Sequence, residues 1–194
     1  MKRLLLILIL TLSLQSWTKA DDINDFEIEG MSIGDSLLDY MTMNEYLTNK
    51  KNEYNYENIF ATIGFSKDSF KKYDRVQIHY KLNDQNKNIY GITGVIYFDN
   101  KITECLNQKK FIKSDITSSL KKFEVFNDTF NHWADKENNS IVYQTILEFD
   151  QGSGISISCF DWSKKKTEEK GWYDNLKVSL DTKEFKNFVR SLSN

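Results

Sequence analysis

Short apolar stretches separated by tight-turn residues recur along this chain, and they restrict its fold more than its composition does. Apolar and polar residues alternate in "YDRVQIHYK" (73–81) and "DNLKVSLD" (174–181), which predicts strands with one buried face. The segments 83–88 and 150–154 carry the Gly, Asn and Asp of tight hairpins, so neighbouring strands should pair antiparallel. Further buried strands are predicted in "NIFATIGF", "IYGITGVIYF", "SIVYQTILEF" and "GISISCFDW".

Three helices are predicted before, between and after these strands. The first follows Ser36, the second runs from about Ile102 to Phe123, and the last begins with a capping-box pattern at Asp181 and Glu184. The element order is therefore α-βββ-α-βββ-α. It predicts an α+β fold in which an antiparallel sheet of about six strands, mostly hairpin-linked, is covered by two to three helices.

The second helix has an apolar arc interrupted by lysines. Lys109 and Lys113 fall on that arc, so either their aliphatic stems extend past the core or the helix breaks near Ser114-Asp115. The apolar members of the arc are Ile102, Cys105, Leu106, Ile112, Ile116, Leu120 and Phe123.

The first 20 residues predict a secretory signal peptide. Lys2 and Arg3 precede an apolar run that ends at Leu14, and cleavage is expected after Ala20. That run is shorter than the roughly 20 residues that span a bilayer, although an uncleaved anchor is the alternative. Cleavage leaves 174 of the 194 residues, which predicts a single domain over 21–194, either undivided or built from two packed α-βββ halves at about 21–100 and 101–194.

The charge of the exported chain argues against two classes of partner. Without the three basic residues of the signal peptide it carries 23 basic and 28 acidic residues, a net charge of −5. Nucleic acids and anionic membranes are bound through positive surface, so neither is expected. No later stretch of sequence has membrane-spanning length, so no membrane span is expected after signal cleavage.

The two cysteines predict a structural disulfide. Cys105 lies on the apolar arc of the second helix, and the alternation in "ISISC" places Cys159 on the same strand face as Ile155 and Ile157. If that helix covers that face, both sulfur atoms enter one layer of the core. Two buried free thiols are one alternative, and a redox pair is the other, although that pair usually has closer spacing.

The string Gly34-Asp35-Ser36-Leu37 resembles the first block of the GDSL, or SGNH, hydrolases, a resemblance that implies Ser36 as a nucleophile. That family has an Asp-x-x-His near its C-terminus as the base. Here the histidines are His79 and His132, with Val76 and Thr129 three residues before them. A serine needs an adjacent base, so we interpret the string as coincidental and Ser36 as a helix cap that forms a capping box with Asp39.

Other chemistry is sparse in this sequence. No metal site, cofactor site or catalytic residue is predicted, because the histidines are distant and the cysteines are expected to be oxidised. His79 is expected on a polar strand face and His132, beside Trp133, in loop packing. Trp162, Trp172 and Tyr173 either floor a ligand groove or pack at strand ends. Residues 163–171 predict a solvated loop.

Five segments resemble a group of small exported proteins from marine bacteria with AT-rich genomes. They are "IEGMSIGDSLLDYM", "YDRVQIHYK", "GVIYFDNKITEC", "CFDWS" and "LKVSLDTKEFKNF". The resemblance implies a shared fold and compartment and no activity. We therefore expect a periplasmic or secreted, non-enzymatic binding or interaction module of the cell envelope, whose partner is an envelope protein or a small ligand. The alternatives are a serine esterase using Ser36 and an inhibitor-like domain that binds a protein.

Overall fold

One eight-stranded antiparallel sheet organises the protein. The computed structural model describes residues 22–137 and 139–192, so the predicted signal peptide lies outside the described residues. The strands are β1 (Tyr54–Tyr56), β2 (Phe60–Phe65), β3 (Arg75–Lys81), β4 (Ile89–Tyr97), β5 (Glu124–Asn131), β6 (Ile141–Glu148), β7 (Gly154–Asp161) and β8 (Asn175–Asp181). The α-helices are α1 (Met43–Asn49), α2 (Ile102–Ser119), α3 (Lys164–Lys170) and α4 (Lys183–Ser191).

The strand order in the sheet is β1-β2-β3-β4-β8-β7-β6-β5. Each half of the chain therefore forms a four-stranded meander, and the two meanders join where β4 pairs antiparallel with β8. The α+β class and the antiparallel sheet are confirmed, whereas the predicted six strands and two to three helices are too few. One meander falls in each of the predicted halves, 21–100 and 101–194.

The missed elements have weak sequence signals for physical reasons. Strand β5 lies at the sheet edge and is exposed along its whole length, so it has no apolar alternation. Strand β1 is three residues long. Helix α3 occupies the segment predicted as a solvated loop, and its residues are polar because none of them is buried.

One face of the sheet is covered by α2 and by the segment that precedes α1. Helix α2 packs on β7, where the sulfur atoms of Cys105 and Cys159 lie at bonding distance, 2.02 Å. Both cysteines are fully buried among apolar side chains, in agreement with the predicted pairing. The helix ends at Ser119, before the predicted end at Phe123.

The lysines on the apolar arc of α2 are accommodated without a break in the helix. Lys109 Nζ donates to Thr145 Oγ1 at 2.9 Å, and Lys113 Nζ donates to Asn127 Oδ1 at 3.2 Å. Thr145 lies on β6, and Asn127 lies on β5, the edge strand next to it. The aliphatic stems therefore lie along the core while each ammonium group finds a polar partner.

The segment after Ser36 differs from the predicted helix. It forms a single 3-10 turn, Leu37–Asp39, and α1 starts separately behind its own capping box, formed by Thr42 and Glu45. Ser36 does cap the turn, but its Oγ accepts from the amide of Leu38 rather than from that of Asp39, because a 3-10 turn is wound more tightly. The predicted Ser36–Asp39 capping box is therefore wrong.

Helix α4 lies on the opposite face of the sheet. Its N-cap is Thr182, one residue after the predicted Asp181, and the Thr182 side chain accepts from the amide of Phe185. Phe185 packs between the rings of Phe60 and His79. We call this face of the sheet the groove face. Within the described part of the chain, no helix has both the length and the apolar character needed to cross a membrane.

Candidate ligand-binding site

A groove of about 590 Å³ crosses the groove face next to the start of β8. Tyr54 and Tyr56 of edge strand β1 line it together with Trp162, which follows β7. Four strands separate β1 from β7 in the sheet. Both can line one groove only if the sheet curves around it, so this face is concave. We call the site the aromatic groove.

The three tryptophans that follow residue 20 all line the aromatic groove. The ring centroids of Trp162 and Trp172 are 4.5 Å apart, and those of Trp162 and His132 are also 4.5 Å apart. Trp133 packs on His132 at 5.6 Å and is 78% exposed. These rings form a continuous wall. The predicted groove residues Trp162, Trp172 and Tyr173 thus lie together on one lining.

Asp135 fixes the loop that carries His132 and Trp133. The residue is 2% exposed, and its carboxylate accepts hydrogen bonds from Ser140 Oγ at 2.6 Å and from Ser163 Oγ at 3.0 Å. Ser163 follows Trp162 and caps α3, so one carboxylate holds two tryptophan-bearing segments together. These hydrogen bonds, above all that from Ser140, hold the pKa of Asp135 below its ordinary value.

Helix α3 and the residue that ends it place Trp172. Gly171 closes the helix at φ +67°, a left-handed conformation that favours glycine. The turn directs the chain back, so that the ring of Trp172 meets that of Trp162. On the other side, the amide of Trp162 donates to Asp174 Oδ1 at 2.9 Å. The aromatic wall is therefore held by hydrogen bonds at both ends before any ligand arrives.

The floor of the aromatic groove carries two cations and no carboxylate among its described lining residues. In the sheet, Arg75 of β3 and Lys177 of β8 lie opposite Val95 of β4, one on each side of it. Lys177 Nζ lies 4.7 Å from the centre of the Phe160 ring. Burial lowers the pKa of Lys177, and burial together with Lys177 lowers that of His132. The floor is thus positively charged although residues 21–194 carry a net charge of −5.

Asn175 contributes an unused hydrogen-bond acceptor to the same lining. The residue is 6% exposed, and its Nδ2 donates to the carbonyl of Tyr173 at 2.9 Å. A carbonyl can only accept, so this contact fixes the orientation of the amide. Asn175 Oδ1 has no hydrogen-bond partner in the described residues. Buried polar atoms normally have one, so a ligand hydroxyl or amide would complete this site.

Comparisons with protein-family models, with curated proteins and with solved structures found no match.

Ser36 lies in a setting that does not activate it. Its Oγ donates to the carbonyl of Asn86 at 2.7 Å and accepts from the amide of Leu38 at 3.2 Å. His79 Nδ1 is bonded to Thr62, and His132 Nδ1 accepts from the amide of Ala134. Neither histidine of the described chain contacts Ser36, so the geometry supplies no base for an esterase reaction.

A second cavity, of about 390 Å³, lies between the groove face and α4. His79 is on the polar strand face as predicted, but it is buried against Phe185, and this burial lowers its pKa to about 3. Across Gly91, burial raises the pKa of Asp181 to about 7. No group of three or more His, Cys, Asp or Glu side chains in the described ranges could hold a metal ion.

Sequence reasoning found the aromatic wall but missed the floor and the far rim. His132 and Trp133, interpreted as loop packing, belong to the wall. The alternation in "DNLKVSLD" already placed Asn175 and Lys177 on the face opposite the apolar residues, so that signal was present. Tyr54 and Tyr56 could not be found, because only the curvature of the sheet brings them to the groove.

Proposed function

We propose that the protein is a non-enzymatic binding protein of the periplasm or the extracellular space, which takes a small ligand into the aromatic groove. One observation carries the proposal: all three tryptophans after residue 20 line a single concave groove. Aromatic side chains supply large apolar area at low entropic cost, and a concave site buries more of a ligand than a flat one.

The compartment is supported by two independent features. The apolar run that ends at Leu14 has the length and flanks of a cleaved signal peptide. The cysteines, far apart in sequence, lie at disulfide distance, a bond that persists in oxidising spaces. A ligand would then be met outside the cytoplasm.

Binding without catalysis is supported by the chemistry of the described groove lining. It has no carboxylate, and its histidine, His132, uses Nδ1 to accept a backbone amide. The hydroxyl of Ser36 is bonded elsewhere, as described above. A binding site, unlike an active site, needs only shape and fixed polar groups.

The edge strand β5 favours the inhibitor-like alternative. It is eight residues long, exposed along its whole length, and presents Val125, Phe126 and Phe130 to solvent. An unpaired edge of this kind can accept a strand from another protein. Hydrogen exchange tests it: envelope extract should slow exchange of the amides of residues 124–131 if this edge binds, and leave them unchanged if only the groove does.

Ligand retention tests the groove. The exported protein is incubated with the small-molecule fraction of a cell-envelope extract, separated by gel filtration and denatured, and the released compounds are identified by mass spectrometry. We expect a compound that wild type retains and the Trp162→Ala/Trp172→Ala variant does not. Phe111→Ala, which removes an exposed ring on α2, is the control and should retain it. Equal retention by all three proteins would overturn the proposal.

A further inference from the structure

Among the described residues, the two cations on the floor of the aromatic groove have no acidic partner. No carboxylate within the described ranges forms a salt bridge with Lys177, and burial is the sole cause of its lowered pKa. A cation held between strands and partly removed from water is normally paired. Lys177 therefore has unused capacity for an anion, which the Phe160 ring beneath it does not satisfy.

Arg75 adds a second positive charge to the groove. Its Nη2 donates to the carbonyl of Gly64 at 3.0 Å, so the guanidinium lies over strand β2. A Cβ on Gly64 would stand 2.6 Å from Arg75 Nη2, so the absence of a side chain there makes this position possible. Arg75 and Lys177 flank Val95, but their charged ends extend apart, the guanidinium towards Gly64 of β2 and Lys177 Nζ towards Phe160 of β7. A small anion therefore pairs with Lys177, while Arg75 contributes positive charge to the groove.

The remaining polar groups suit a ligand rich in hydroxyls. Asn175 Oδ1 is a buried acceptor without a donor, next to Lys177 on the same face. Four tyrosines contribute phenolic groups that can both donate and accept: Tyr54, Tyr56, Tyr97 and Tyr173. A carboxylate or phosphate alone would use the cations but would leave the Asn175 oxygen unsatisfied.

The aromatic wall suits a sugar ring better than a planar base. Trp162 meets both His132 and Trp172 at 53° and at 4.5 Å, so the rings contact one another and leave no slot between them. A base would need such a slot for stacking on both sides. A pyranose instead rests one apolar C–H face on a single ring and projects its hydroxyls sideways.

We propose that the aromatic groove binds a short acidic saccharide. Its anion, a uronate carboxylate or a sulfate ester, pairs with Lys177, and one of its hydroxyls donates to Asn175 Oδ1. A long polyanion is disfavoured, because the exported chain is acidic outside the groove. This assignment rests on the proposed binding function and specifies the ligand class.

Calorimetric titration with defined saccharides tests the assignment. The probes are trigalacturonate, a monosulfated galactan disaccharide and the neutral cellotriose, each added to the exported wild-type protein, to Lys177→Met and to Lys164→Met. Methionine keeps the length and the packing of Lys177, so the sheet should stay folded. Lys164→Met makes the same charge change at an exposed position on α3, outside the groove.

One or both acidic saccharides should bind, more tightly than cellotriose, and the better one identifies the anion. Lys177→Met should weaken that binding about tenfold or more, as expected for a lost charge-assisted hydrogen bond, while Lys164→Met should not. Cellotriose affinity equal to that of the acidic saccharides would overturn the inference, as would an affinity unchanged by Lys177→Met. If all three saccharides fail while the extract yields a retained compound, the saccharide class is wrong and the binding function stands.

Discussion

The Asp135 carboxylate accepts a hydrogen bond from Ser163 Oγ at 3.0 Å, and this contact joins the loop that carries Trp133 to the segment that carries Trp162. The same carboxylate accepts from Ser140 Oγ at 2.6 Å. Two segments far apart in sequence are thus tied by one buried side chain. The aromatic wall depends on this tie, because its rings belong to both segments.

Asp135→Asn should loosen the wall. Both serine hydroxyls donate to Oδ2 and the amide of Glu137 donates to Oδ1, so an amide group here leaves either the two hydroxyls or the Glu137 amide without an acceptor, at a cost of about 1–3 kcal/mol in the free energy of unfolding. We also expect tryptophan emission to shift to longer wavelength as the rings become wetter. Urea unfolding and fluorescence spectra measure both, and the exposed Asp115→Asn on α2 is the control. An unchanged spectrum would show that the tie does not position the rings.

Gly171→Ala should displace Trp172. A Cβ there meets nothing within 4 Å, so the cost comes from the backbone at φ +67° alone, about 1–2 kcal/mol. Asparagine tolerates the left-handed region better than alanine, so Gly171→Asn should cost less. Thermal unfolding of the two variants checks this order. If Gly171→Ala had the same melting temperature as wild type, the left-handed conformation at residue 171 would not be what places Trp172.

The sheet and the disulfide could be predicted because apolar periodicity reports burial directly. Cys105 and Cys159 each fell on an apolar face, and the structure places both in one core layer. Strand β5 and helix α3 could not be predicted, since an element with no buried side carries no such period. The groove floor could be predicted in part, because the alternation in residues 174–181 shows on which face of the sheet Lys177 lies. That Lys177 has no acidic partner among the described residues could not be predicted, because its neighbours depend on the strand order.

Asp181 should make stability depend on pH. Burial raises its pKa from 3.8 to about 7, with Lys186 offsetting part of the rise. The folded state therefore holds this proton more tightly than the unfolded state. Its contribution is fully present below about pH 4 and is lost as pH rises through about 7.

Asp181→Asn isolates this effect from the other titrating groups, because the amide imitates the protonated acid at every pH. The melting temperature of wild type minus that of the variant should fall between pH 5 and pH 8. A difference that is constant or rises over this range would show that Asp181 is ionised throughout.

Loss of the disulfide should lower the free energy of unfolding by about 4 kcal/mol in the chain-entropy description, since the bond closes a loop with a sequence separation of 54 residues. Urea unfolding of wild type with and without dithiothreitol measures this difference. The Cys105→Ser/Cys159→Ser variant should unfold like the reduced wild type, and dithiothreitol should not change its free energy of unfolding. If dithiothreitol also left the free energy of unfolding of oxidised wild type unchanged, a structural role for the bond would be contradicted.

The indole region of the ¹⁵N–¹H NMR spectrum tests groove binding most directly. Residues 21–194 contain three tryptophans, Trp133, Trp162 and Trp172, and all three line the aromatic groove. When the compound retained from envelope extract is added, we expect all three indole signals to move together along one saturable curve. If the compound binds and the indole signals stay in place, its site lies elsewhere, and the account given for the groove is contradicted.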